Sequence, residues 1–187
     1  ELKGMFAYVI YDKLQEKLII GRDIIGEKII YFYEDNDLMI IASEIGPIIE
    51  LKPSIKINKN VSREYFFTRH LLAPINTTFE GVKLVQSGHL LEYNLNKLSF
   101  KTLCVRKPAD LIDQDIVERN KCRTENDLID ELESVFISNS KALTPPSINY
   151  YSAFSGGIDS SLVSMFVNEY KPPKDFIALQ FPGKDCV

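Results

Sequence analysis

Three cysteines and two histidines are all the thiol and imidazole groups that this 187-residue chain offers. Cys104, Cys122 and Cys186 are widely spaced and form neither a disulfide framework nor a zinc pattern, so a reducing cytoplasm suits them best. His70 and His89 have no second ligand at metal spacing and read as ordinary side chains. No basic block offsets the formal net charge of −4, which argues against a generic nucleic-acid or membrane-surface binder. No apolar run nears the ~20 residues of a membrane span. Internal repeats, low-complexity tracts and a visible signal peptide are missing too. The remainder, 45% hydrophobic and 26% charged, is the composition of a globular protein with one ordinary domain or two small ones.

The most informative stretch runs from Ile148 to Ser161. Ile148 to Phe154 is aromatic and β-branched, which predicts a buried strand. Ser155, Gly156 and Gly157 break it, and from Asp159 a helical period begins with Leu162, Val163, Phe166, Val167 and Tyr170 on one face. A strand, a Gly-Gly turn with hydroxyls and a helix start make an anion site, because the first helical amides and the dipole point at it. The glycines let backbone approach a phosphate, and Ser155, Ser160 and Ser161 can donate to it. A bare Asp159 carboxylate would repel that ligand unless a divalent cation, Mg²⁺ being usual, bridges the two. The lysine of the Walker loop is absent. A plain turn, with Gly-Gly relieving strain and Asp-Ser-Ser capping the helix, is the bland alternative.

Upstream, Met5–Tyr11, Lys17–Gly21, Ile29–Tyr33 and Leu38–Ala42 are short β-rich runs at the spacing of a meander. Both alternating sets of Met5–Ile10 are apolar, which predicts a sheet covered on both faces. The aromatics of 29–33 belong to the core. Arg22-Asp23 reads as a structural turn pair rather than a catalytic one. A short helix or turn through Ile49 and a helix over Arg63–Leu72, anchored by Tyr65, Phe66 and Leu72, follow. Strands at Gly88–Tyr93 and Leu98–Leu103 come next. Residues 106–123 are polar without steady period and read as a linker. Thr124-Glu125-Asn126-Asp127 has capping-box spacing and opens a helix with Leu128, Leu132, Val135 and Phe136 inward. A strand at 175–181 completes a βαβ unit with 148–154 and 158–170.

In order, these pieces resemble a known family. Ser-Gly-Gly-x-Asp-Ser-Ser is similar to the pyrophosphate loop of the N-type ATP pyrophosphatases, which split ATP into AMP and pyrophosphate. Leu2-Lys3-Gly4-Met5-Phe6-Ala7 resembles the "L-x-G-M-F-A-F" strand of class II glutamine amidotransferases. Gly21-Arg22-Asp23-x-x-Gly26-x-Lys28 with Tyr31 resembles their "R-D-x-x-G-x-K-P-L-Y" turn, and Ala42-Ser43-Glu44-Ile45 their "A-S-E-x-K-A-L" segment. Phe79-Glu80-Gly81-Val82-Lys83 and Gly88-His89 are similar to the "F-x-G-V-x-x-L-x-P-G-H" region, and Phe181-Pro182-Gly183 to a later strand end. The series is that of glutamine-hydrolysing asparagine synthetases. Departures are Ile29 for proline, Gly46-Pro47 for Lys-Ala and Gln86-Ser87 for Pro-Pro, which leave room for a different acceptor carboxylate.

The resemblance implies an α+β portion, the C-terminal part of an N-terminal-nucleophile layered β-sandwich over 1–105. A linker at 106–123 then leads to an α/β portion over 124–187, the first βαβ unit of a doubly wound ATP-pyrophosphatase domain. It implies ATP and Mg²⁺, with Ser155, Gly156, Gly157, Asp159, Ser160 and Ser161 on pyrophosphate, Asp159 on the metal, and Ala153 and Leu179 presenting backbone to adenine. Substrates would be aspartate, glutamine and ATP, without nucleic acid or membrane, and a homodimer is compatible. Alternatives are a sugar or peptide carboxylate as acceptor, an intramolecular amide ligase of the β-lactam synthetase kind with an inactive glutaminase, and a non-catalytic anion-binding module. The family's nucleophile is an N-terminal cysteine whose amine is the base. Glu1 cannot serve so, and the expectation is a piece of a longer protein with no catalytic residue of its own.

Overall fold

A computed structural model describes residues 2, 4–36, 38–73 and 75–179. The chain divides into two compact units, Glu1–Asp113 and Gln114–Val187.

In the first unit, β1 (Ala7–Asp12) and β2 (Lys17–Arg22) form an antiparallel hairpin. Its turn is held by the Asp12 carboxylate, which accepts from the Leu14 and Gln15 amides at 2.9 and 3.0 Å. Sequence spacing predicts that the next strand continues the meander, and here the fold differs. β2 pairs instead with β6 (His89–Asn94), which pairs with β7 (Ser99–Cys104), giving the order β1-β2-β6-β7. A second antiparallel sheet holds β4 (Met39–Ala42), β3 (Tyr31–Glu34) and the two-residue β5 (Lys83–Leu84), in the order β4-β3-β5.

The two sheets share a core. Ile20 and Leu91 from the first sheet pack with Ile30, Phe32 and Val85, and Ala7, Met39, Ile41 and Phe100 close around them. On the other face of the second sheet, Ile40 and Val82 meet Ile48 of α1 (Ile45–Leu51). That sheet is therefore covered on both sides, whereas β1, whose two apolar faces carried that prediction, leaves Val9, Ile10 and Tyr11 exposed. Tyr31, Phe32 and Tyr33 belong to these clusters, as the sequence predicts.

The helix predicted at Arg63–Leu72 begins earlier and ends earlier, as α2 (Lys59–Thr68). The Asn58 side chain caps the Val61 amide at 3.2 Å, and Arg69 in the left-handed region stops the helix. Tyr65, Phe66 and Leu72 are exposed rather than anchors; Val61 is the buried residue of this helix.

In the second unit, part of the stretch read as an aperiodic linker is ordered. A single 3₁₀ turn at Pro108–Leu111 ends the first unit, and α3 (Gln114–Lys121) opens the second. Its mostly polar surface gave no apolar period to detect. The capping box forms as predicted: Thr124 Oγ1 accepts from the Asp127 amide, and the Asp127 carboxylate accepts from the Thr124 amide and hydroxyl. It starts α4 (Glu125–Leu143). Phe136 stacks on Phe166 of α5 (Ile158–Tyr170) with ring centroids 5.2 Å apart, whereas Leu128, Leu132 and Val135 are exposed rather than inward.

β8 (Tyr151–Ala153) and β9 (Asp175–Ile177) pair in parallel on either side of α5, with Ala153 opposite Ile177. Both strands are shorter than predicted; Tyr151, in the strand predicted as buried, is exposed, and so are Phe176 and Ile177. Ala178 and Leu179, predicted as strand, are not part of β9, and residues 180–181, the Phe181-Pro182-Gly183 segment and Cys186 lie outside the described residues. Lys171 latches the base of this unit: its ammonium donates to the carbonyls of Pro145, Pro146 and Ile148 at 2.8–2.9 Å.

Candidate functional site

Two sequence-selected segments carry polar groups dense enough for chemistry. The first is the turn between β2 and β3. Asp23 is only 3% exposed, yet its carboxylate accepts from the amides of Gly26 (2.6 Å), Glu27 (3.1 Å) and Lys28 (3.0 Å). Burial pushes this carboxyl up, but the N–H donors of Lys28, Glu27, Gly26 and Phe6 outweigh it and hold it below the usual carboxylate range. Arg22 donates from Nε to the Lys28 carbonyl, from Nη1 to that of Val85 and from Nη2 to that of Gly26. Both charged side chains are spent on backbone, so this pair organises a turn, as the sequence predicts. It swings the chain from the first sheet into the second.

The same turn reaches Gly88, whose amide donates to the Asp23 carbonyl at 2.9 Å. The Gly88 carbonyl in turn accepts from Val105 and Arg106. At φ +66°, a Cβ on Gly88 would stand 1.9 Å from the Arg106 carbonyl oxygen, so only glycine fits. His89 Nδ1 lies 2.7 Å from the Ser87 carbonyl oxygen, a structural contact.

The second segment is the bend between β8 and α5, which is exposed from Phe154 to Asp159. Gly156 sits at φ +79° with open space where a Cβ would be. Ser161 makes the first helical bond, donating its amide to the Gly157 carbonyl at 3.0 Å. Among the described residues the amides of Gly156, Ile158, Asp159 and Ser160 have no hydrogen-bond partner, and the last three lie in the first turn of the helix, at its positive end. The hydroxyls are close together: Ser155 Oγ is 2.9 Å from Ser160 Oγ, and Ser161 Oγ donates to the Gly157 carbonyl at 2.8 Å.

Ser155, Gly156, Gly157, Asp159, Ser160 and Ser161 thus lie on one turn of backbone. Ala153 ends β8 opposite Ile177, while Leu179 lies two residues past β9 and is exposed. The donor set fits a polyphosphate. Asp159, exposed and with no ion pair or side-chain hydrogen bond among the described residues, fits a hard divalent cation shared with it. Among the described residues no group of three or more His, Cys, Asp or Glu forms a metal cluster, so such a cation would need the ligand's own oxygens.

One polar group escaped the sequence reading. The Ser164 hydroxyl is buried without a partner and lines an open groove of about 400 Å³ with Phe154, Ser161, Met165, Asn168 and Phe176. Its only sequence signal is a small polar residue between apolar positions of α5.

Residues 1–103 match the model of the glutamine amidotransferase domain. The chain belongs to this family. Beyond the matched region, likeness to individual relatives of the family continues through the β8–α5 bend. Asparagine synthetase [glutamine-hydrolyzing] 1 of Bacillus subtilis is 26% identical over 175 residues, 92% of this chain and 26% of the relative. Putative asparagine synthetase [glutamine-hydrolyzing] 2 of Methanocaldococcus jannaschii is 27% identical over 173 residues, 91% of this chain and 32% of the relative. Asparagine synthetase B [glutamine-hydrolyzing] of Escherichia coli is 26% identical over 171 residues, 91% and 24%. The chain spans about a quarter to a third of the length of these relatives. Among the described residues no helix is long and apolar enough to cross a membrane.

Proposed function

We propose that this glutamine amidotransferase family chain works in an ATP-dependent amide ligase of the glutamine-hydrolysing asparagine synthetase type. The observation that carries the reading is a conjunction. A match to the amidotransferase domain over 1–103 is followed, on the same chain, by a Ser-Gly-Gly-x-Asp-Ser-Ser bend with free amides at a parallel β-α-β turn. In this reading residues 1–105 belong to the glutaminase and 124–187 begin an ATP-pyrophosphatase domain.

The chemistry is a displacement at the α-phosphorus of ATP. An aspartate carboxylate oxygen forms the new P–O bond, the bond to the bridging oxygen breaks, and pyrophosphate leaves with that electron pair. Ammonia from glutamine then attacks the acyl carbon and loses a proton, and AMP leaves with the C–O bond. Ser155, Gly156, Gly157, Asp159, Ser160 and Ser161 make the pyrophosphate site, and backbone at Ala153 and Leu179 faces adenine. In this reading the free amides of the bend serve the charge that accumulates on the leaving group, and the serine hydroxyls, which bond within the loop, turn to join them. Asp159 would hold Mg²⁺, which neutralises the departing phosphates. Ile29, Gly46-Pro47 and Gln86-Ser87, which depart from the family pattern, leave room for a sugar or peptide carboxylate as the second reading for the acceptor.

The test uses the intact protein with ATP, glutamine and aspartate. AMP and pyrophosphate should form in equal amounts. Asp159→Ala should abolish AMP formation and leave release of glutamate from glutamine in place. AMP formation undiminished in that variant would end the pyrophosphate assignment. AMP formation that depends on a different carboxylate would keep the bend and change the acceptor.

A further inference from the structure

The loop between α4 and β8 has no charge of its own. Residues 144–150 read Thr-Pro-Pro-Ser-Ile-Asn-Tyr, with neither a carboxylate nor a cationic side chain. Two consecutive prolines remove two backbone donors there, while every carbonyl stays as an acceptor. Three of those carbonyls, of Pro145, Pro146 and Ile148, converge on the Lys171 ammonium at 2.8, 2.9 and 2.8 Å. The same ammonium stands over the Tyr150 ring, 5.9 Å from its centroid and within cation–π range.

This point lies where negative charge collects. Pro145 follows Thr144, the C-cap of α4, and Lys171 is itself the C-cap of α5. The partial negative charge at the ends of two helices therefore adds to the three carbonyl dipoles. The distances say which cation fits. They exceed the ~2.3–2.6 Å that calcium takes and the ~2.0–2.1 Å of magnesium, and a ligand set without a carboxylate suits neither ion. Converging backbone carbonyls replace the hydration shell of a large monovalent ion instead.

We propose that the Pro145–Ile148 loop is a binding site for a monovalent cation of ammonium or potassium size, and that Lys171 is its built-in occupant. The site joins the end of α5 to the start of β8. The Tyr150 hydroxyl donates back to the Lys171 carbonyl, and the Lys174 amide donates to the Tyr150 carbonyl at 2.8 Å. Tyr151 and Ala153 of β8 are exposed, so polar ties rather than burial fix this strand against the helix. No atom of the β8–α5 bend takes part, and the site does not depend on the function proposed above.

The experiment follows hydrogen exchange at the Lys174 amide by NMR, in different chlorides at equal concentration. In Lys171→Ala, which empties the site, protection should fall about tenfold. Potassium or methylammonium at ~0.5 M should return about threefold to fivefold of it. Lithium, too small, and tetramethylammonium, too large and without an N–H, should return none. Lys171→Met fills the space with its own side chain, so its protection should stay low in every salt. The wild type should not distinguish the cations. Should Lys171→Ala fail to fold, the wild-type ammonium signals decide: the Lys171 Nζ protons should exchange with water about tenfold or more slower than those of the exposed Lys141. Equal protection of Lys171→Ala in potassium and lithium, rescue of Lys171→Met by the same ions, or a Lys171 ammonium exchanging as fast as that of Lys141 overturns the proposal.

Discussion

Asp23→Asn is the sharpest probe of the first unit, because the buried carboxylate accepts from three amides of one turn. Asparagine keeps one acceptor oxygen. It can still serve Gly26 and Glu27, which bond the same Oδ1, but its amide nitrogen then faces the Lys28 N–H. A buried unsatisfied donor costs about 1–3 kcal/mol, and loss of charge from the two surviving bonds adds about 1 kcal/mol. The expected loss is about 2–4 kcal/mol, a large fraction of the ~5–15 kcal/mol that holds a domain together. For a unit of this size that lowers the melting temperature by about 10–25 °C.

The pH dependence gives a second, independent reading. The folded carboxyl lies below its ordinary 3.8, so its contribution is complete above about pH 5. That contribution fades as pH falls through 3.8 towards the folded value. Asparagine does not titrate, so the gap between wild type and variant should narrow over that window. The chain has no tryptophan, and the transition is best followed by exchange at amides of β2 and β6 during urea melts. A variant within about 0.5 kcal/mol of wild type at neutral pH, or a gap that stays constant into acid, would refute the reasoning.

Gly88→Ala should cost the first unit about 3 kcal/mol or more, since it combines a left-handed φ with a Cβ driven into the Arg106 carbonyl. Thermal melts check this, and an unshifted midpoint would show that the close approach is not real. In the second unit, Lys171→Met strips three carbonyls of their shared ammonium and should lower local stability by about 1–3 kcal/mol. Exchange at β8 and α5 amides reads it, with Lys171→Arg expected to be milder and equal exchange in Met and wild type counting against the latch.

Local chemistry was legible before any coordinates. The Thr124 capping box, the break at Ser155-Gly156-Gly157, the span of α5 and the Asp23 carboxylate's bonds to Gly26, Glu27 and Lys28 each depend on residues within a few positions of one another. Sequence spacing encodes those directly. The match of residues 1–103 to the amidotransferase domain agrees with the motif series read along the chain.

Pairing was not legible. β2 joins β6 across some seventy positions rather than its neighbour β3, because the Asp23-centred turn redirects the chain and both partners offer the same alternation. Periodicity reports that a face is apolar without saying what meets it. Leu128, Leu132 and Val135 show the right stripe and stay exposed, while Phe136 on the same helix finds Phe166. The closest case is within the bend itself. Sequence put three serines at one anion site; only the distances show that Ser155 bonds Ser160 and that Ser160 and Ser161 share the Gly157 carbonyl, because hydrogen-bond partners are set in space.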